Sequence, residues 1–236
     1  KNLYNPQTQT LYRRYRDGDA RFNGGLQDYA FMIQGLIDLY ESTFDFQWLE
    51  YAISLTTKQI ELFWDKESGG FFDTTGNDPS ILIRTKEDYD GAEPVGNSIA
   101  ALNLLKLSQI TNNNTWRGMA ERTIQSFGSR LNQMPEALPQ MLVAFNWQLT
   151  TPKEIIIVGN ISAEDTKVIL REVHKHFLPN KVILLVDDDS KSKLVSYLPF
   201  IENETMINGK ATAYICQNYT CQLPTNDIEK VTEMLG

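Results

Sequence analysis

Apolar residues recur at spacings of three and four over residues 25–42. Leu26, Tyr29, Ile33, Leu36, Ile37 and Tyr40 form one stripe, which predicts a helix. Phe31, Met32 and Leu39 are apolar on its other faces, so this helix is expected to be covered on more than one side. Asp45 is placed to cap a second helix carrying Phe46, Leu49, Ile53, Ile60 and Phe63, with Gln47, Glu50, Ser54, Lys58 and Glu61 on its wet side. An inner helix followed by an amphipathic outer one makes an α/α hairpin. A long connection, residues 65–95, follows; it holds a Gly69-Gly70 turn and two short apolar runs, Phe71-Phe72 and Ile81-Leu82-Ile83, expected to pair as a β-ribbon.

The pattern then repeats. Gly96-Asn97-Ser98 precedes an apolar helix with Ile99, Ala100, Leu102, Leu104, Leu105 and Leu107. Thr115 is the expected cap of an amphipathic partner that runs through Trp116, Met119, Ala120, Ile124, Phe127 and Leu131. Pro135 suits the first turn of a fifth helix ending near Leu149. After Pro152 the period changes. Lys153–Gly159 and Val182–Val186 read as buried strands and Ala211–Cys216 as a third, with helices expected over 163–177 and Asn226–Leu235. The expected fold class is mainly α, with helical hairpins over residues 1–150 and a small α/β module over 151–236. Residues 1–24 give no clear periodicity and read as the middle of something. With Lys1 in place of a methionine, a fragment or processed product is expected.

A chain of 236 residues has room for one large domain or two small ones. Its net charge of −8 disfavours nucleic acid and anionic membranes as partners. No apolar run approaches the roughly 20 residues of a spanning helix. Two cysteines, Cys216 and Cys221, do not make a disulfide scaffold, and their spacing matches no usual zinc or redox motif. They could bridge across a turn, serve a redox partner, or stay buried as free thiols. Free thiols are the expectation, because Gln217-Asn218-Tyr219-Thr220 need not bring the sulfurs together. Four sequons, at Asn113, Asn160, Asn203 and Asn218, do not by themselves fix a compartment. P-loop, dinucleotide and serine-hydrolase motifs are missing, no cofactor is expected, and His174 and His176 cannot share a helix face to hold a metal.

Four segments carry a resemblance. Gly25-Leu26-Gln27-Asp28-Tyr29-Ala30-Phe31, Trp64-Asp65 through Gly69-Gly70-Phe71-Phe72, Asp90-Gly91-Ala92-Glu93-Pro94-Val95-Gly96-Asn97-Ser98 and Ala213-Tyr214-Ile215-Cys216 through Cys221 resemble, in order, motifs of the spermatogenesis-associated protein 20 type family, a thioredoxin-domain group. The resemblance implies a thioredoxin-like domain followed by a six-hairpin α/α toroid, similar to those of N-acylglucosamine 2-epimerases and glycosidases. This chain would be its C-terminal part, with the missing N-terminal part as its partner. No established reaction comes with the resemblance.

Candidate chemistry gathers at the starts of the two inner helices. Asp28 opens the first, where a carboxylate can bind a sugar hydroxyl, act as a general acid, or simply stabilise the positive end of the helix. Asp90 and Glu93 precede the second, and paired carboxylates are what glycoside hydrolysis requires; equally, Asp90-Gly91 can form a turn and Asn97 a cap. Tyr29, Asn97 and the aromatics Trp64 and Tyr89 are the candidate substrate-binding residues. The leading expectation is a cavity that binds or converts a neutral sugar, epimerase-like or glycosidase-like, with Asp28, Asp90 and Glu93 as catalytic candidates. The alternatives are a scaffold for an absent redox domain and a non-catalytic interaction module.

Overall fold

The computed structural model describes residues 2–77, 79–217 and 220–236. Lys1, Asp78 and Asn218-Tyr219, the last pair belonging to the fourth sequon, lie outside the described residues. The chain folds as two compact units, residues 1–108 with 113–148 and residues 109–112 with 149–236. Helices dominate the first unit, and a mixed sheet with helices makes up the second.

The first unit opens with a small antiparallel sheet in the order β1-β2-β3: β1 (Tyr4–Asn5), β2 (Thr10–Arg16) and β3 (Asp19–Asn23). Asp17 and Gly18, at φ 54° and 82°, make the two-residue turn between β2 and β3, the conformation that favours an Asp-Gly pair. These strands are largely exposed and so leave no apolar alternation to read. They are anchored by the backbone N–H of Leu11, which donates to the phenol of Tyr29 at 3.0 Å.

α1 (Leu26–Thr43) and α2 (Phe46–Phe63) form the first hairpin. Phe44 turns the chain at φ 56°, and the Asp45 carboxylate caps α2 by accepting from Gln47 N. The stripe Tyr29, Ile33, Ile37 and Tyr40 is buried, and Tyr29 meets Phe63 of α2 edge-on at 5.5 Å. α3 (Gly96–Thr111) is buried along nearly its whole length; Asn103 ties it to α1 by donating to Ala30 O.

The second hairpin corrects two expectations. Asn113, not Thr115, caps α4 (Asn114–Ser126), because its side chain accepts from Trp116 N at 3.1 Å. The helix does not run on to Leu131. Phe127 donates back to Ile124 O in a tight last turn, and α5 (Gly128–Gln133) starts afresh at a glycine, a weak helix former. A 3-10 turn, Pro135–Ala137, leads into α6 (Pro139–Leu149). The expected ribbon is also corrected. Phe71 pairs with Trp64 as an isolated bridge, while Ile81, Leu82 and Ile83 form no strand, and Leu82 and Ile83 are exposed.

In the second unit the order is β5-β4-β6-β7, built from β4 (Lys153–Val158), β5 (Lys181–Val186), β6 (Thr212–Gln217) and β7 (Thr220–Cys221). β4 runs parallel to β5 and antiparallel to β6. Helices α7 (Glu164–Lys175), α8 (Lys191–Tyr197) and α9 (Ile228–Leu235) complete it. The free-thiol expectation is overturned: Cys216 and Cys221 are disulfide-bonded, with Cα atoms 3.9 Å apart. The reason is register. Gln217 pairs with Thr220, so the hairpin sets Cys216 directly opposite Cys221.

Candidate functional site

The motif residues of the first unit fall into two groups, divided by what their side chains hold. The first group is framework. Gly69 and Gly70 sit at φ 76° and 73°, and a Cβ on Gly69 would come within 2.8 Å of Arg122 O. No other residue fits that turn without displacing backbone. Asp65 closes the loop by accepting from Glu67 N and Ser68 N, and Lys86 donates to its other oxygen at 2.7 Å. That Lys86 contact holds the Asp65 carboxyl below its ordinary value. The result is that Phe71 is set beside Asn97. Asn97 Oδ1 accepts from Phe71 N at 2.7 Å, and its Nδ2 donates to Phe71 O at 2.8 Å, both ends fully buried. Asn97 therefore acts as a one-residue strand partner.

Asp90 is equally committed. It is 7% exposed, and its two carboxylate oxygens accept from Val95 N at 2.8 Å and from Gln140 N at 2.9 Å. It locks its own loop and the first turn of α6. The Tyr29 phenol accepts from Leu11 N, and burial raises its pKa. Trp64 packs edge-on against Phe71 with the Arg122 guanidinium 5.3 Å over its ring, and Tyr89 is exposed.

The second group meets at the start of α1. Gly96 packs so tightly there that a Cβ would lie 2.7 Å from Leu26 Cγ and 3.1 Å from Gln27 N. Gln27 also donates to Pro94 O. Asp28 and Glu93 both line one concavity of about 680 Å³. Arg13 and Gln27 share its polar rim, and Phe31, Met32, Leu36 and Leu39 make its apolar wall. Asp28 Oδ2 accepts from Gly25 N at 2.8 Å, so part of this carboxylate closes the helix start. Tyr29, Trp64, Tyr89, Asp90 and Asn97 are not among the lining residues.

The apolar positions Phe31, Met32 and Leu39 predict a second covered side of the helix; Met32 and Leu39 are exposed instead, and all three line the concavity. Arg13 carries no signal, since no periodicity marks its strand. Arg84 and Lys86, the basic residues nearest the carboxylate cluster in sequence, are tied elsewhere: Arg84 donates to Thr74 O and stacks on Phe72 at 4.1 Å, and Lys86 holds Asp65 and Gly69 O. Among the described residues no His, Cys, Asp and Glu group is arranged to hold a metal, and no helix is long and apolar enough to cross a membrane.

These features define a mainly helical protein with a small α/β part and a concavity on its first helix that Asp28 and Glu93 line. The chain is homologous to proteins named spermatogenesis-associated protein 20. It is 39% identical to the human protein and 40% to the rat protein, each over 213 residues, 90% of this chain. A Caenorhabditis elegans protein named uncharacterized protein B0495.5 is 31% identical over 221 residues, 93% of this chain. The chain spans 27% of the length of the mammalian relatives and 29% of the nematode one. These homologues support the family that the four motifs resemble. No family model matches the chain.

Proposed function

We propose that the chain is the C-terminal part of a spermatogenesis-associated protein 20 type protein, that its hairpins are a portion of an α/α toroid, and that the concavity on α1 binds a neutral sugar. One observation carries the reading: Asp28 and Glu93, which stand at the starts of α1 and α3, both line one concavity with an apolar wall. Carboxylates accept hydrogen bonds from sugar hydroxyls, and an apolar wall with Phe31 suits the C–H face of a ring. Two carboxylates flanking a sugar are also the equipment of acid–base glycoside chemistry. In this reading Asp28 and Glu93 act on the ligand, while Asp90, Asn97 and Tyr29 hold the loops that present them.

The charge balance selects the ligand. One guanidinium, Arg13, stands against two carboxylates, and Arg84 and Lys86 are engaged elsewhere. An added phosphate meets net repulsion; at an effective dielectric near 20, like charges about 4 Å apart cost on the order of 4 kcal/mol, less in an open site. Calorimetric titration with matched neutral and 6-phosphorylated hexoses tests this. The neutral sugar is expected to bind more tightly than its phosphorylated partner. Tighter binding of the phosphorylated sugar, or binding of neither, contradicts the reading.

A further inference from the structure

The second unit holds a row of residues that the sugar reading leaves unused. Glu154 lies opposite Val182 in the β4–β5 pair and opposite Cys216 in the β4–β6 pair, and Cys216 lies opposite Cys221. Directly opposed residues share a sheet face, with Cβ atoms about 4.5–5.5 Å apart. The Glu154 and Cys216 side chains therefore leave neighbouring strands on one face of the sheet, with Cys221 next in the row. The row runs from the interior to water: Val182 is buried, Cys216 is 5% exposed, and Cys221 is exposed.

Glu154 is placed unusually for a structural carboxylate. Gln109 Nε2 donates to its Oε2 at 3.2 Å, while Oε1 is buried with no hydrogen-bond partner among the described residues. Burial pushes this carboxyl up to about 7, with the Gln109 amide pulling the other way, so it holds a proton for much of the time near neutrality. The other titratable group that register sets on this face of β6 is Tyr214. Its hydroxyl is bonded to Thr205, and burial raises it further above the neutral range. Lys153 and Lys181 are paired on the opposite face, where Lys153 donates to Met234 O and Leu235 O.

As a staple the bridge contributes less than one closing a long loop would. It spans five positions within a hairpin already closed by the Gln217–Thr220 pair, and short loops gain least from a cross-link. We propose that Cys216–Cys221 is a thiol–disulfide exchange site, open to an external dithiol at Cys221, in which Glu154 gives its proton to the departing Cys216 sulfur. A thiolate of the dithiol attacks Cys221 Sγ, the Sγ–Sγ bond breaks, and its electron pair leaves on Cys216, which takes the Glu154 proton. The second thiolate attacks the dithiol's own sulfur in the mixed disulfide. That step closes the dithiol's disulfide and releases Cys221, which is protonated by water. Glu154 regains its proton from solvent. Two electrons pass from the dithiol to the cysteine pair, and the two protons the pair gains come from Glu154 and from water.

The test is the rate of reduction of the oxidised chain by dithiothreitol from pH 5.5 to 8.5, read by alkylation and mass spectrometry. In simple exchange the rate follows the reductant's thiolate and rises tenfold per pH unit. Proton delivery by Glu154 predicts that this rise flattens between pH 7 and 8. In Glu154→Gln the tenfold rise should persist throughout, with a rate at pH 6 lower by about tenfold. An unbroken tenfold rise in the native chain, the same flattening in the variant, or a bridge that dithiothreitol opens only after denaturation would each overturn the proposal. The native pH profile decides the matter even if the variant does not fold.

Discussion

Replacing Asn97 with alanine is expected to destabilise the first unit by about 4 kcal/mol, among the largest effects of any single polar substitution in the chain. The side chain satisfies both the N–H and the C=O of Phe71 in a site closed to water. Truncation leaves two buried backbone groups unpaired, each costing about 1–3 kcal/mol, beside the void left by the amide. Asn97→Asp retains the acceptor but loses the donor and buries a charge, so it should be no better tolerated. Urea unfolding followed by circular dichroism measures both. A loss under about 1 kcal/mol would remove Asn97 from the framework and return it to the candidate binding residues.

Glu154→Gln should act in the opposite direction, and only at higher pH. In the unfolded chain this carboxyl ionises near its ordinary 4.5; in the folded chain burial holds it at about 7. Below 4.5 both states keep the proton, and ionisation costs nothing. As pH rises from 4.5 through 7 the unfolded state gives up its proton first, so native stability falls across that window. Above 7 the folded chain carries the full cost, roughly 3 kcal/mol. Glutamine removes the ionisation and leaves an acceptor for Gln109. Variant and native chains should have similar stability at pH 4, with the variant ahead by up to about 3 kcal/mol at pH 8. Other carboxyls, such as Asp73 and Glu204, whose pKa values burial also raises, contribute equally to both proteins and cancel in the difference. Parallel pH profiles for the two would contradict the assignment.

What could be read from the sequence tracks how each element is stabilised. α1, α2 and α3, and strands β4 and β5, bury apolar stripes or runs, and their periodicity announces them within a residue or two. β1 to β3 are largely exposed, with Leu11 as their buried residue, and rest on a turn and one buried hydrogen bond, so no periodicity marks them. The disulfide is not legible in the sequence because pairing across a hairpin depends on register, which residues 217–220 do not spell out. α8 is one charged pair of turns around a single buried residue, Leu194, too short for a period to emerge.

The candidate site was legible as a cluster and illegible as a division of labour. Asp28, Asp90, Glu93 and Asn97 all stand at inner-helix starts. Composition cannot tell a carboxylate that faces an open concavity from one whose two oxygens are consumed by Val95 and Gln140 backbone. Asp28 and Glu93 line the concavity, while Asp90 is 7% exposed and held by backbone N–H groups on two segments.

In the proposed function, Asp28 and Glu93 are the residues expected to meet a ligand. Glu93 is exposed, and no hydrogen bond ties its side chain to the framework among the described residues, so Glu93→Gln should leave the unfolding midpoint unchanged. Calorimetric titration of native and Glu93→Gln proteins with the same neutral hexose tests the pairing most directly. Loss of one charge-assisted hydrogen bond, about 1.5–3 kcal/mol, predicts affinity weaker by roughly 10- to 100-fold in the variant. Equal affinity in the two proteins would contradict the account.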